Sequence, residues 1–504
     1  MARGAQTQAL LALDQGSHAS RACVFDHDGL LLASHEVAVG THHPAADRVE
    51  QDPLELEQSL QRAAEGALAR ARVAHPRLVA VAAGLAVQRS TLVCCQGRAL
   101  EPLLPALSWQ DRRHAAWLAG LAPEAARVRA LTGLPLSAHY GASKLRWCLE
   151  QVPAVQQAAR RGDLRALPLA AWLQARLTRS EPRVDAANAS RTLLFDTARL
   201  QWSDELLELF GLRALGLAAR ALPRCETTFG EFGVLLIGDE HVPLTVLTGD
   251  QSAVPWACGR LAADEASLNL GTGAFLQLPL ARRPDDPAPL LGSVLGVFAD
   301  GARYSLEGTV NGAGAAVSAF LMHESLDEAE AWAALETLPD DTPLPQALVA
   351  SGGLGSPWWQ PQARTRWPEG GTPGTRFAAV VESIAVLAAV NVAELARLGG
   401  APVALRVAGG LSRSAFLLRR LAAFTRVPVR RSSPEATARG VAALACAQWG
   451  ERWAGSQQQG EGARDDVMPP AGAAGESLQQ RGALLADDYR MLAAAAAAGA
   501  PSAR

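Results

Sequence analysis

The sequence predicts an α/β protein built as two domains that close on one ligand, and three observations carry that expectation. Two stretches, Leu11-Ala-Leu-Asp14-Gln15-Gly16-Ser17 and Leu268-Asn-Leu-Gly271-Thr272-Gly273, lie about half the chain apart, and each is an apolar strand entering a glycine turn and leaving as another strand. Such a turn brings backbone N–H groups and a hydroxyl to the end of a buried strand, where glycine permits the close approach that a polyphosphate requires. The third observation is residues 405–407, an apolar strand running into Ala408-Gly409-Gly410-Leu411-Ser412-Arg413-Ser414 and then a helical pattern. Strand, glycine turn and helix N-terminus together cradle an anion or a nucleotide.

The 504 residues are 49% hydrophobic and 19% charged with a net charge of −3, which predicts a globular chain with ample core and more than one domain. Near-neutral charge argues against a chain that coats nucleic acid or an anionic membrane, so the expected partner is a small molecule. No apolar run approaches the roughly 20 residues of a membrane-spanning helix. The start carries no secretory apolar stretch, and the seven cysteines are scattered without a C-x-x-C pair, so the expected compartment is a reducing cytoplasm. Lys144 is the one lysine among 47 basic residues.

Residues 10–14, 21–26 and 30–37 read as three strands joined by tight turns, the second through Asp26-His-Asp28-Gly29. Residues 53–72 follow as a helix, with Asp52 placed to cap it and Pro53 suited to its first turn. Residues 78–85 form a buried strand ending at Gln88-Arg89-Ser90-Thr91, and 91–95 lead into another. Open α/β sheets put their ligands at strand ends of this kind. Residues 111–121 and 144–152 look helical, 167–177 is a strand-to-helix or helical element, and 185–192 is a polar loop. Residues 242–247 are a strand stopped by Thr248-Gly249-Asp250-Gln251, and 252–259 start a helix. The second half restarts at Leu268, continues through a strand at 304–307, and turns at Gly308 to Gly314 into a helix ending near His323. Residues 377–398 repeat apolar positions at helical spacing over about six turns. After the glycine turn at 408–410 a helix runs to about Phe424, and a last core helix spans 434–449. Residues 455–475 read as a linker, and 481–498 as a helix that either docks back or frays.

Two carboxylates stand out. Asp14 ends a buried strand beside a phosphate-binding turn, where a carboxylate either holds a Mg²⁺ ion against phosphates or caps the turn. Asp250 ends a second buried strand, where it serves either as general base for an attacking hydroxyl or as a helix cap. Spacing alone does not choose.

An ordered series of short pieces does. They are Ala12-Leu-Asp14-Gln15-Gly16-Ser17 with Ser20-Arg21, Val49-Glu50-Gln51-Asp52-Pro53, Gln88-Arg89, Trp109-Gln110-Asp111-Arg112-Arg113, Thr132-Gly133-Leu134 and Ser143-Lys144-Leu145-Arg146-Trp147. Further on come Asn188-Ala189-Ser190-Arg191-Thr192, Gly249-Asp250-Gln251, Gly271-Thr272-Gly273, Leu306-Glu307-Gly308 and Gly353-Leu354-Gly355-Ser356-Pro357. Through them the chain resembles the FGGY family of carbohydrate kinases, its glycerol kinase branch in particular, from about residue 10 to 449. The resemblance implies duplicated actin-like (ribonuclease H-like) domains, 8–257 for substrate and phosphate and 258–450 for nucleotide, with a hinge near 255–262, a cleft between them, and a tail over 451–504. It implies ATP and Mg²⁺ as cofactors, a small polyol or sugar as acceptor with glycerol foremost, and homodimers or homotetramers. Asp250 would be the catalytic base and Asp14 the metal-linked carboxylate. Ser17, His18, Arg21, Thr272, Gly314, Ser318, Gly410 and Ser414 would line the nucleotide; Arg89, Ser90, Trp109, His139, Gln251 and Phe275 would line the substrate with Asp250. Lys144 falls in the family's signature helix without a named contact.

The departures sit at the acceptor end. Where glycerol kinases carry a glutamate this chain has Ser90, and a lost hydrogen bond to a charged group, worth about 1.5–3 kcal/mol, would weaken glycerol binding roughly ten- to a hundredfold. His139 stands where tyrosine is usual, His18 where a hydroxyl is, Ala408 where aspartate is, and Ser318 and Ser414 replace amides. The stretch 364–376 is shortened and proline-rich. Another polyol or a pentulose (erythritol, ribulose, xylulose) is therefore the alternative acceptor, and a non-catalytic actin-like nucleotide-binding module the alternative of another class.

Overall fold

The computed structural model describes residues 7–259, 261–432, 435–448 and 466–498. In the first half, strands β1 (Thr7–Gln15), β2 (Ala19–Asp26), β3 (Leu31–Ala38), β4 (Leu78–Val87), β5 (Val234–Ile237) and β6 (Glu240–Gly249) form one sheet in the order β5-β6-β4-β1-β2-β3. β1 pairs antiparallel with β2 and parallel with β4, and β4 pairs parallel with β6. The central strands are covered on both faces, which is why they read as continuous Ala, Leu and Val runs and not as alternation. Their register sets Gln15 opposite Val87 and Val87 opposite Gly249, so the carboxyl ends carrying Asp14, Arg89 and Asp250 emerge along one edge.

The second half repeats the plan. Strands β7 (Glu265–Leu270), β8 (Ala274–Leu280), β9 (Leu291–Phe298), β10 (Gly301–Val310), β11 (Ala404–Ala408) and β12 (Val429–Arg431) run in the order β9-β10-β8-β7-β11-β12. As β1 does, β7 makes an antiparallel hairpin with its successor and pairs parallel with a strand far along the chain, β11. A hairpin whose first strand joins later parallel strands, used twice, is the duplicated actin-like architecture the sequence predicts.

Helix α1 (Pro53–Ala74) begins where expected: Asp52 accepts from the Leu54 N–H at 2.9 Å, Pro53 opens the first turn, and Leu56, Leu60, Ala64, Ala67 and Leu68 are buried. Helices α2 (Gly141–Gln151) and α3 (Leu169–Thr178) complete the first half around the site, and α4 (Ala313–Glu324), α5 (Pro373–Gly399) and α6 (Ala415–Thr425) the second. Among the described residues α5 alone is long and apolar enough to cross a membrane, and 78% of its apolar window is buried in the core of the second half. Cys23, Cys94, Cys95, Cys148 and Cys225 are free thiols.

Helix α7 (Ala436–Gln448), last of the second half by sequence, packs on the first sheet, where Val441, Ala442 and Ala445 meet Leu10, Ala12, Ala82 and Val246. Two glycines permit this approach. A Cβ on Gly84 would lie 2.4 Å from Val441, and one on Gly440 would lie 1.9 Å from the Ala253 carbonyl. Helix α8 (Gly472–Ala497) docks on the second half through buried Tyr489, whose ring stacks on Trp358 at 6.0 Å and whose hydroxyl donates to the Val349 carbonyl at 3.1 Å.

Three expectations need correction. The helix at 111–121 is only Ala115–Ala119, because the buried Asp111 carboxylate instead holds the Arg113 guanidinium and the Val49 N–H at 2.8 Å. The polar loop at 185–192 is two short buried helical turns, with Asp185 capping the first. Of the expected linker, 455–465 lie outside the described residues, while Val467 already pairs with Val429 and Gly472 opens α8.

Candidate active site

The carboxyl ends of β1 and β6 meet the second half across a cleft of about 250 Å³. The first half contributes Asp14, Arg21, Asp250 and Gln251; the second contributes Asn269 from β7, Gly409 from the turn after β11, and Glu435 before α7. Gly409 has φ +91°, and a Cβ there would lie 2.4 Å from the Leu270 carbonyl, so the two glycine turns of the second half interlock only because this position is bare.

Asp14 caps no turn: among the described residues no hydrogen bond reaches its carboxylate, which faces the cleft. Burial, reinforced by the charge of Asp250, pushes its pKa up to about 7, against the pull of Arg21. Asp250 opens the short helix Asp250–Ala253 and accepts from the Gln251 N–H at 2.6 Å. Burial raises its pKa too, while Arg89, with Nε at 3.8 Å, draws it back.

Arg89 is held by a residue from the other half. Glu307 on β10 accepts from both Arg89 terminal nitrogens, at 2.9 and 3.2 Å, and from the Arg191 guanidinium. Burial pushes Glu307 up, and the two guanidiniums, Arg191 and Arg89, outweigh it and hold the carboxyl well below the usual carboxylate range. The Arg89 side chain lies over Gly249, where a Cβ would stand 2.6 Å from its Cδ. Ser90 follows, buried and left-handed with φ +68°. The Trp109 and His139 rings lie 5.2 Å apart, and burial, followed by the charges of Lys144 and three arginines, keeps the imidazole neutral, its pKa well below the ordinary value.

Not all expected residues gather. Ser17 has its hydroxyl engaged within the first half, accepting from Trp109 Nε1 at 2.7 Å and donating to Gln88 at 3.2 Å. Ser414 is committed as the α6 N-cap, accepting from Leu417 N–H and donating to Glu336 at 2.6 Å. His18, Thr272, Ser318 and Gly410 are exposed, and Phe275 is half-buried on β8. Gly314 donates its N–H to the Gly271 carbonyl at 3.0 Å and ties the start of α4 to the β7–β8 turn. Sequence reasoning assigned no role to Glu307, Arg191 or Glu435; Glu435, with φ +62°, accepts from Arg21 at 2.7 Å across the cleft.

Among the described residues no three His, Cys, Asp or Glu side chains gather as a metal cage. Mg²⁺ needs none: it takes one or two carboxylates beside phosphate oxygens and water. Asp14 and Asp250, two partly buried carboxylates that line one cleft, the charge of the second raising the pKa of the first, are a donor set that fits it.

The model of the FGGY family of carbohydrate kinases matches with its N-terminal domain over residues 9–253 and its C-terminal domain over 266–449. The chain is 36% identical to the glycerol kinase of Thermus brockianus over 445 residues, 86% of this chain and 88% of that one. It is 34% identical to the glycerol kinase of Acidovorax sp. (strain JS42) over 453 residues, covering 86% and 89%. In fold it is similar to the Plasmodium falciparum glycerol kinase solved with ADP (TM-score 0.79, 22% identity, 95% and 93% covered). It is equally similar to the xylulose kinase of Lactobacillus acidophilus (TM-score 0.80, 18% identity, 98% and 100% covered). With both domain models matched in order over most of its length, this chain belongs to the FGGY family of carbohydrate kinases, phosphotransferases with an alcohol group as acceptor.

Proposed function

We propose that the chain transfers the terminal phosphoryl group of ATP to a primary hydroxyl of a small polyol, glycerol foremost, giving glycerol 3-phosphate and ADP. The observation that carries this reading is Asp250: a carboxylate at the end of a central strand, lining the cleft, raised by burial and set 3.8 Å from Arg89, the residue before Ser90. The glycerol kinase relatives favour glycerol among acceptors.

In this reading the acceptor lies against Arg89, Ser90, Trp109, His139, Gln251 and Phe275, and Asp250 takes the proton from its attacking hydroxyl. A base is effective when its pKa lies near the working pH, and burial moves Asp250 in that direction. Arg89, fixed by Glu307, limits the rise and offers its Nε edge to the same pocket. The glycine turns at Gly16, Gly271 and Gly409 surround the phosphates, with Arg21 beside them, and the Gly314 N–H holds the Gly271 turn in place. Mg²⁺ held at Asp14 would neutralise phosphate charge. Phosphoryl transfer asks little more of a protein than alignment, a base and charge stabilisation.

ADP release coupled to NADH oxidation, run with glycerol, dihydroxyacetone, erythritol, ribulose and xylulose and with Asp250→Asn as control, tests the proposal. Turnover of glycerol that falls at least a hundredfold in Asp250→Asn is expected. Turnover of erythritol or a ketose alone would move the acceptor, a reading that Ser90 and His139 favour. No acceptor-dependent ADP from any of them would leave a nucleotide-binding module and overturn the kinase reading. Ser90→Glu is expected to gain glycerol affinity.

A further inference from the structure

Lys144, on the first turn of α2, is fully buried. Its ammonium donates to three backbone carbonyls, of Ser108 at 2.7 Å, His139 at 2.8 Å and Ser90 at 3.4 Å. These carbonyls belong to three loops distant in sequence. One follows β4 and carries Arg89 and Ser90, one carries Trp109, and one carries His139. An ammonium has three donors and no acceptor, so three carbonyls satisfy it completely. The carboxylate whose charge acts on it, Asp111, is already engaged by Arg113 and the Val49 N–H.

We propose that Lys144 is the positioning residue of the acceptor pocket: its ammonium draws the three loops to one point, fixing the separation of Ser90, Trp109 and His139 and the left-handed backbone of Ser90. The inference rests on the reading that these side chains line the acceptor. Three features distinguish this tripod from ordinary core filling. An apolar side chain of equal length would fill the volume and leave three carbonyls without this donor. The planar fork of arginine cannot reproduce three tetrahedrally disposed bonds. Burial, opposed by Asp111, pushes the amine down to about 7, and only its protonated form supplies a donor to each of the three carbonyls. None of the three loops reaches the nucleotide turns at Gly271 or Gly409, and the one link toward the Gly16 turn is the Trp109 Nε1 bond to Ser17 at 2.7 Å, so the larger effect falls on the acceptor.

Lys144→Met and Lys144→Arg are compared with wild type in the ADP-release assay, using whichever acceptor wild type turns over best, with glycerol tried first. Both variants are expected to raise the acceptor KM at least tenfold and to leave the ATP KM within twofold. An acceptor KM within threefold of wild type, an ATP KM that rises in parallel, or full rescue by arginine would each overturn the tripod. Because the chain has one lysine, wild type grown with ¹³Cε-lysine gives a single side-chain signal, which decides the matter even where a variant fails to fold. That signal is expected to shift on saturation with the acceptor and to stay in place with a non-hydrolysable ATP analogue; no shift with the acceptor overturns the proposal. Wild type that releases no ADP with any acceptor removes the kinase reading and this inference together, whereas active wild type with indifferent variants removes this inference alone.

Discussion

Replacing Glu307 with glutamine tests how the two halves assemble the acceptor side of the site. The Glu307 side chain is 5% exposed, and the Arg89 and Arg191 guanidiniums it neutralises are 9% and 5% exposed. Removing one partner of a buried ion pair costs about 3–5 kcal/mol, because the remaining charge is left without compensation. Glutamine keeps the volume and one acceptor oxygen, which places the loss near the lower end, about 3 kcal/mol. If that loss falls on the pocket, it corresponds to roughly a hundredfold in kcat/KM, at about 1.4 kcal/mol per tenfold. A second effect has a definite sign. Arg89, released from Glu307, has Asp250 as its nearest carboxylate at 3.8 Å, and a tighter pair lowers the proton affinity of the base. The acid limb of the kcat profile is therefore expected to move to lower pH while kcat falls. The ADP-release assay across pH reads both effects, with the ATP KM expected to stay within threefold. A kcat/KM within threefold of wild type, with an unmoved acid limb and unchanged melting temperature, would refute the claim that Glu307 orients Arg89.

Asp14, raised to about 7, must lose its proton to hold a cation, so Mg²⁺–ATP affinity is expected to fall by up to about tenfold per pH unit below neutrality, with proton release seen by calorimetry in two buffers. Asp14→Asn should abolish that slope, and affinity independent of pH in wild type would refute the assignment. The same raised carboxyl stabilises the fold fully below about pH 4 and loses that contribution as pH rises through about 7, so unfolding midpoints of Asp14→Asn and wild type should diverge toward neutral pH. Gly314→Ala would place a Cβ 2.5 Å from the Gly271 carbonyl. At about 1–3 kcal/mol for such overpacking, nucleotide affinity should drop about tenfold with the acceptor KM unchanged, measured by equilibrium titration with ADP. Ser414→Ala should lower stability by about 1 kcal/mol through the lost α6 cap, and the ATP KM should not move; a fivefold rise would return Ser414 to the nucleotide site.

Both glycine hairpins, the α1 cap and the buried parallel strands were legible because each is a local pattern: a glycine flanked by apolar runs, an Asp-Pro before a helical stripe, a continuous Ala, Leu and Val stretch. The short helix after Arg113 was not, because Asp111 spends its carboxylate on Val49, 62 residues away, and so cannot be read from its neighbours. The partners of Ser17 and Ser414 were not legible for a related reason. A hydroxyl beside a phosphate turn looks free in sequence, and its true partners, Trp109 and Glu336, belong to elements 92 and 78 residues away.

The residues that were missed share one property, and it bears on how the cleft works. Glu307 meets Arg89 and Arg191 across 218 and 116 residues, and Glu435 meets Arg21 across 414. In all three pairs the second half supplies the carboxylate and the first half the guanidinium. Strand periodicity marks such a glutamate only as a charge in an apolar strand, and its complement is visible only once the halves are docked. The first half thus brings arginines whose charge and direction are completed by carboxylates of the second half. Glu307 and Arg89 are shielded from solvent, so their attraction is little screened. The Arg21–Glu435 pair is more exposed, with side chains 35% and 25% accessible. Raising the ionic strength should therefore loosen the cleft at Arg21 well before it disturbs Arg89, weakening the grip on phosphate while the acceptor pocket keeps its shape.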